Sequence, residues 1–422
     1  MRPTPSPAQD HDLLSPDVFR DHRHHEVFEA LRRHDPVHWH VDSAGIGFWC
    51  LTKQADVQMA SRDPETFVSG RGFTLVDIDP DDLQGIMMKQ MLPGMDRPEH
   101  TRYRRIVSKG FSPRTLRLVE DHLALKARSI VDRIIDRGSC DFVEDVAAEL
   151  PLQAIAELVG VPEGDRRKIF RWGNQMTGID DPEFGGDSEA AMTASAEMLA
   201  YADDLRRQRA EDPRDDIVTL LTGATGLTGE PGDADGLTDA ELAVFFLLLV
   251  VAGNETTRNA TSHGMRALIE HPAELAKLRT DPSPDRMASA VEEILRWASP
   301  ILYFRRTATR DVEMRGKTIR AGDRVVLWYA SANRDEEAFP DPFRFDVDRS
   351  PNDHVTFGGG GPHFCLGAGL ARMELRLIFT ELVARLGEIE LDGPVETLRS
   401  NFIGGIKHMP VRWHRRPVVG TV

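Results

Sequence analysis

Apolar positions in this chain recur mostly at spacings of three and four residues, the pattern of helices that bury one face. "SPRTLRLVEDHLALKARSIVDRIIDRG" predicts a long amphipathic helix, with Ser112 and Pro113 as start signals and Gly138 as a stop. "VFEALRRH", "LPLQAIAELVGVP", "SAEMLAYADDLRRQRAED", "DRMASAVEEILRWASP" (ended by Pro300) and "GAGLARMELRLIFTELVARLG" read as further helices. Alternation with period two marks "VHWHV" and "GFWCLT" as a hairpin. Later "YFRRTAT", "VEMRG", "DRVVLWY" and "KHMPVRWH" read as short strands. The expected fold is mainly α with minor β at both ends. Neither repeat nor linker divides the chain, so one domain over residues 1–422 is expected. "TGATGLTGEPGDADG" (222–236) reads as a surface loop, and residues 70–96 show no clear period.

The greasiest helix is interrupted. Thr238 with Glu241 three residues on forms a capping box, and the run Leu242–Ala252 follows. That run is too short to span a bilayer, which predicts a core helix. The chain then supplies "GNETT" while helical character continues through "HGMRALIEH". An acid and two alcohols inside a core helix call for a chemical reason.

Composition narrows the search. The net charge of −16 disfavours a nucleic-acid binder, which needs a basic face. The N-terminal "MRPTPSPAQDHD" lacks the apolar core of a signal peptide. Cys50, Cys140 and Cys365 form no metal or disulfide framework. Together these suggest a cytoplasmic protein without a transmembrane anchor. The cluster "HRHHE" (22–26) reads as an exposed polar turn opening a helix.

One cysteine stands apart. In "HVTFGGGGPHFCLGAGLARME" four glycines precede Cys365, and a helix starts just after it. Glycines admit close approach of the backbone to a bulky flat group, and a helix N-terminus favours a thiolate. "FGGGGPHFCLG" resembles the haem-binding loop of the cytochrome P450 superfamily. Phe357 stands eight residues before Cys365 where the family pattern has seven, so one glycine is extra. Gly361, His363, Cys365 and Gly367 keep the spacing. The resemblance implies haem b (iron protoporphyrin IX), with Cys365 as the iron ligand, between a long distal helix and the cysteine loop. A thiolate ligand favours O–O cleavage.

Other segments share the resemblance. Glu293 and Arg296 of "EILR", with Arg344 of "DPFRF", resemble the family's structural Glu-Arg-Arg triad. His100 and Arg104, one turn apart, Arg306 and His363 match positions that hold the haem propionates, which as buried carboxylates need charged donors. Taken alone, His100 would read as part of a solvated face. "AGNETT" resembles the oxygen-activating segment. Ala252 and Gly253 leave room beside the iron, Thr256 holds its hydroxyl in the helix groove, and Glu255 passes protons inward.

The implied activity is a monooxygenase acting on O2 and a hydrophobic small molecule. The chain has neither a dinucleotide fingerprint nor a ferredoxin cysteine cluster. Electrons are therefore expected from a ferredoxin and its NAD(P)H-dependent reductase. Arg102, Arg105, Lys109 and Arg372 are candidates for the docking face, and solvated charge is an equal reading of each. Met87, Met91, Leu249, Ile301 and Phe402 are candidate pocket residues. "AGNETTRN", the extra glycine and "NFIGGIKHMP" resemble a bacterial branch that hydroxylates terminal methyls of sterol side chains and methyl-branched isoprenoid lipids. Terpenoid hydroxylation is the alternative. A peroxygenase and a non-catalytic haem protein also stay open, with the Glu255–Thr256 pair weighing against both.

Overall fold

The computed structural model describes residues 12–41, 47–75, 83–184, 188–214, 216–221 and 237–415. The 222–236 segment expected as a loop lies outside them. In chain order the elements that position the site are α1 (His24–His34), β1 (Val37–Val41), β2 (Gly47–Leu51), α2 (Gln54–Arg62) and β3 (Phe67–Val68). Next come α3 (Leu83–Gln90), α4 (Glu99–Val107), α5 (Pro113–Ile134), β4 (Ser139–Asp141), α6 (Glu149–Val159), α7 (Arg166–Thr177) and α8 (Ser188–Glu211). The remainder holds α9 (Asp239–Glu270), α10 (Pro284–Ala298), β5 (Tyr303–Ala308), β6 (Arg324–Trp328), α11 (Ala368–Arg385), β7 (Leu386–Leu391) and β8 (Pro410–Arg415).

Helix α9 is the axis of the core and packs against α6, α7, α8, α10 and α11. Its capping box forms as the sequence requires, with the Thr238 hydroxyl accepting from the Glu241 amide. Over its 32 residues α9 is long and apolar enough to cross a membrane. The eleven-residue run underestimated it, because apolar residues continue on the buried face beyond Ala252. Its packing inside the protein accounts for that apolarity.

Strands from residues 37–68 and 303–328 join in one five-stranded sheet, ordered β1-β2-β6-β5-β3. The β1–β2 hairpin forms as expected, and β2 then pairs in parallel with β6, Cys50 opposite Val326. A second sheet is ordered β4-β8-β7.

Two local readings change. The methionine-rich segment is helical over Leu83–Gln90 instead of irregular. In the histidine turn Arg23 and Glu26 are exposed as expected, but His24 is buried. His24 is only 5% exposed, because the short helix Pro16–Arg20 lays Phe19 against it, ring centroids 4.9 Å apart.

Candidate active site

The cysteine loop hangs from α10 and seats itself on α2. Gly358, Gly360 and Gly361 have φ of +98°, +93° and +76°, which L side chains rarely adopt. A Cβ on Gly359 would lie 2.7 Å from Ser61 Oγ, and one on Gly361 2.2 Å from the Ser61 carbonyl oxygen. Gly359 and Gly361 therefore let the loop turn tightly against α2. A Cβ on Gly367 would meet open space. Despite the extra glycine, Phe357 stays beside the cysteine, and its carbonyl accepts from the Cys365 amide at 2.9 Å.

Cys365 presents exposed surface although protein surrounds it, so it faces an internal void. Burial raises its thiol pKa. The amides of Gly367 and Ala368 and the charges of Arg104 and Arg372 act the other way. Arg372 is not a solvated charge. It donates twice to Glu292, at 2.7 and 2.8 Å, and lies 4.5 Å above the Phe357 ring. Against the pull of burial, Arg372 and His354 hold Glu292 down to about 2. Arg102 pairs with Glu241, while Arg105 and Lys109 are exposed.

A cluster of donors lacks an acid. His100 on α4 is buried, and its Nε2 has no partner. Its ring centroid is 4.2 Å from that of His363. Arg104 follows one turn later. Arg306, buried on β5, donates to the Arg305 carbonyl at 2.8 Å. Among the described residues no carboxylate pairs with Arg104 or Arg306. Burial, then Arg104, lowers His100 to about 4. Burial, then Arg306, His100 and Arg104, lowers His363 to about 2. Unpaired buried cations are costly, so this cluster fits a ligand bearing two carboxylates. A thiol in a void beside it fits haem.

On α9, Ala252 is exposed between the buried residues Val250 and Asn254, so it too faces a void. The Thr256 hydroxyl donates to the Ala252 carbonyl at 2.7 Å. Gly253 has a different task from the one expected. A Cβ there would lie 2.4 Å from Ile155 Cδ1, so glycine permits the contact with α6. Glu255 is buried and paired with Arg258, while its Oε1 has no partner. Burial raises its pKa and Arg258 opposes the rise. Arg258 also donates to Asn174 Oδ1 on α7 at 2.8 Å. Sequence reading missed Arg258 and Asn174. An arginine three residues after a buried acid was the available signal for the first.

Glu293 and Arg296 have fully buried side chains joined by two hydrogen bonds of 2.8 Å. Their third partner is Arg349, whose Nε lies 3.1 Å from Glu293 Oε2. Arg344, the expected member, has a 62% exposed side chain 3.7 Å from Asp346. The turn closed by the Arg344 amide on the Asp341 carbonyl points that side chain outward and returns Arg349 to the core. The Arg344 contribution is its carbonyl, which accepts from Arg349 at 2.7 Å.

The candidate pocket residues fall into two groups. Met87, Met91 and Leu249 share the large helical core. Ile301 bridges to Ile403, and Phe402 packs on Tyr303 and Phe304.

Residues 286–397 match the Cytochrome P450 family profile. The chain is 42% identical to a protein named steroid C26-monooxygenase from Mycolicibacterium smegmatis, over 97% of this chain and 95% of that one. It is 43% identical to a methyl-branched lipid omega-hydroxylase from Mycobacterium tuberculosis, over 92% and 90%. The solved structure of Mycobacterium marinum cytochrome P450 CYP268A2 in complex with pseudoionone superposes with a TM-score of 0.88. It is 38% identical and covers 97% of this chain and all of that one.

Proposed function

We propose a terminal hydroxylation for this chain, which belongs to the cytochrome P450 family and is a monooxygenase. The substrate is a long apolar molecule oxidised at a chain end, a steroid side chain or a methyl-branched lipid. The carrying observation is near-full-length identity of 42–43% to relatives named for those two activities. Terpenoid hydroxylation is the second reading, favoured by the likeness to the structure holding pseudoionone. We place the enzyme in the cytoplasm as one catalytic unit over residues 1–422.

The cofactor is haem, which we take to be haem b; Cys365 would hold it, and His100, Arg104, Arg306 and His363 would receive its carboxylates. When bound, it supplies the activation of O2 and the insertion of one oxygen atom into a C–H bond, with two electrons and two protons consumed and water released. The protein controls the surroundings. The amides after Cys365 favour a thiolate, and Ala252 leaves space on α9. Thr256 keeps its hydroxyl oxygen near the void while donating to the Ala252 carbonyl. Glu255 stores a proton or charge one residue away, restrained by Arg258. Electrons come from a ferredoxin with an NAD(P)H-dependent reductase, for which exposed Arg105 and Lys109 offer positive charge.

A spectral-shift screen tests the substrate class. Apolar burial contributes about 0.8 kcal/mol per CH2, so affinity should climb with chain length until the pocket fills. Met87→Ala or Met91→Ala should weaken long ligands more than short ones. A screen in which only small aromatics or compact monoterpenes shift the spectrum rejects this class.

Proton delivery is tested separately. Thr256→Ala should bind substrate and accept electrons but divert them to hydrogen peroxide. Loss of a relay step typically costs about 10²–10⁴ in rate. Unchanged coupling of NAD(P)H use to product, in both Thr256→Ala and Glu255→Ala, would remove this role from the pair.

A further inference from the structure

The histidine turn, with His24 buried in it, borders a cavity of about 290 Å³, near the lower end for ligand sites. Its walls come from the start of α1, the second half of α9, the end of α10 and the segment around Gly404. Arg334 lines it and is only 5% exposed. The guanidinium donates to the Trp297 carbonyl at 2.9 Å and lies 5.0 Å from the Trp297 ring. Among the described residues it has no carboxylate partner. Glu293, whose field reaches it, is already taken by Arg296 and Arg349. A buried charge in this position lacks its counter-charge.

Imidazoles make up much of the rest of the wall. His24, His25 and His263 line the cavity, with His22 beside them. His24 Nδ1 is buried and has no partner. His263 Nε2 lies 3.2 Å from the Gly404 carbonyl. Among the described residues the one carboxylate in the lining, Glu270, is held at 2.8 Å by Arg266 on the same helix. Neutral imidazoles alone would suit a transition metal. Arg334 and Arg266 turn the field against a dication, and among the described residues no group of three ligands is placed to hold a metal.

We propose that this cavity is a binding site for a small oxyanion, a carboxylate or a phosphate, that supplies the counter-charge Arg334 lacks. Arg334 is the fixed cation. His24, kept neutral mainly by burial and lowered to about 3, takes up a proton when the anion enters and then donates from Nδ1. Binding is therefore tighter at pH 6 than at pH 8. The other groups that set the field are His22, His25, His263, Arg32, Arg266 and Glu270. This site is separate from the haem donors and does not depend on the substrate reading.

The test titrates haem-loaded enzyme with sulfate, inorganic phosphate and acetate, against chloride at matched ionic strength. Calorimetry in buffers of different ionisation enthalpy reads the protons. The expected result is saturable binding of at least one oxyanion with proton uptake, weakened at least tenfold in Arg334→Gln. Preference for acetate or for the tetrahedral anions names the occupant. Should Arg334→Gln fail to fold, His24→Phe keeps the wall filled and should abolish the proton uptake. The proposal is overturned if no oxyanion differs from chloride. It is equally overturned if the foldable variants bind with unchanged affinity and proton uptake.

Discussion

Cys365→Ala loses the thiolate-type absorbance band of the reduced, carbon monoxide-treated protein, and turnover falls below detection. The fold survives, because the loop does not hang on the thiol. The bond from Cys365 to Phe357 uses the backbone amide. The Arg372–Glu292 pair and the Arg372–Phe357 stack are equally indifferent to Sγ. Far-ultraviolet circular dichroism should therefore match the wild type while the band disappears. Retention of the band in Cys365→Ala would end the assignment of Cys365 as ligand.

Glu293→Ala is the second large effect, and it acts on stability. The carboxylate accepts from Arg296, Arg349, Asn352 and the Asp346 amide. Removing it strands two buried guanidinium groups. Breaking a buried pair in this way costs about 3–5 kcal/mol. The damage should reach the cysteine loop through Asn333. The Asn333 carbonyl accepts from Arg296, and its side chain holds the Val355 amide and the Thr356 hydroxyl. Haem retention should fall together with the melting temperature. Arg349→Ala should resemble Glu293→Ala, while Arg344→Ala should stay within about 0.5 kcal/mol of wild type. Denaturation of the three variants decides it. Equal losses at 344 and 349 would contradict the geometry.

Features set by local chemistry were legible in the sequence. The capping box of α9, the Ser112 cap of α5 and the β1–β2 hairpin all need only neighbouring residues. Features that depend on a distant partner were not. Gly253 looked like room for a ligand until Ile155 of α6 came to lie against it. Arg344 and Arg349 are both arginines near one turn, and only the path of that turn tells which returns to Glu293. His24 looked solvated because Phe19, which covers it, comes from a separate helix. Helix α7 went unread, since few apolar residues mark its buried side, Ile169 and Trp172 among them. It nevertheless supplies Asn174 to the partner of Glu255.

The mixed sheet also bears on how the chain is made. A ribosome releases β1 and β2 early, but the strand that pairs with β2 ends at Trp328. At bacterial or eukaryotic elongation speeds the first hairpin waits roughly 15–60 s for that partner. Over that interval the β2 edge carrying Trp49, Cys50 and Leu51 is an open template for other chains. Nascent-chain chaperones therefore have a task at the N-terminal hairpin, and slower translation between the two halves would lengthen the exposure.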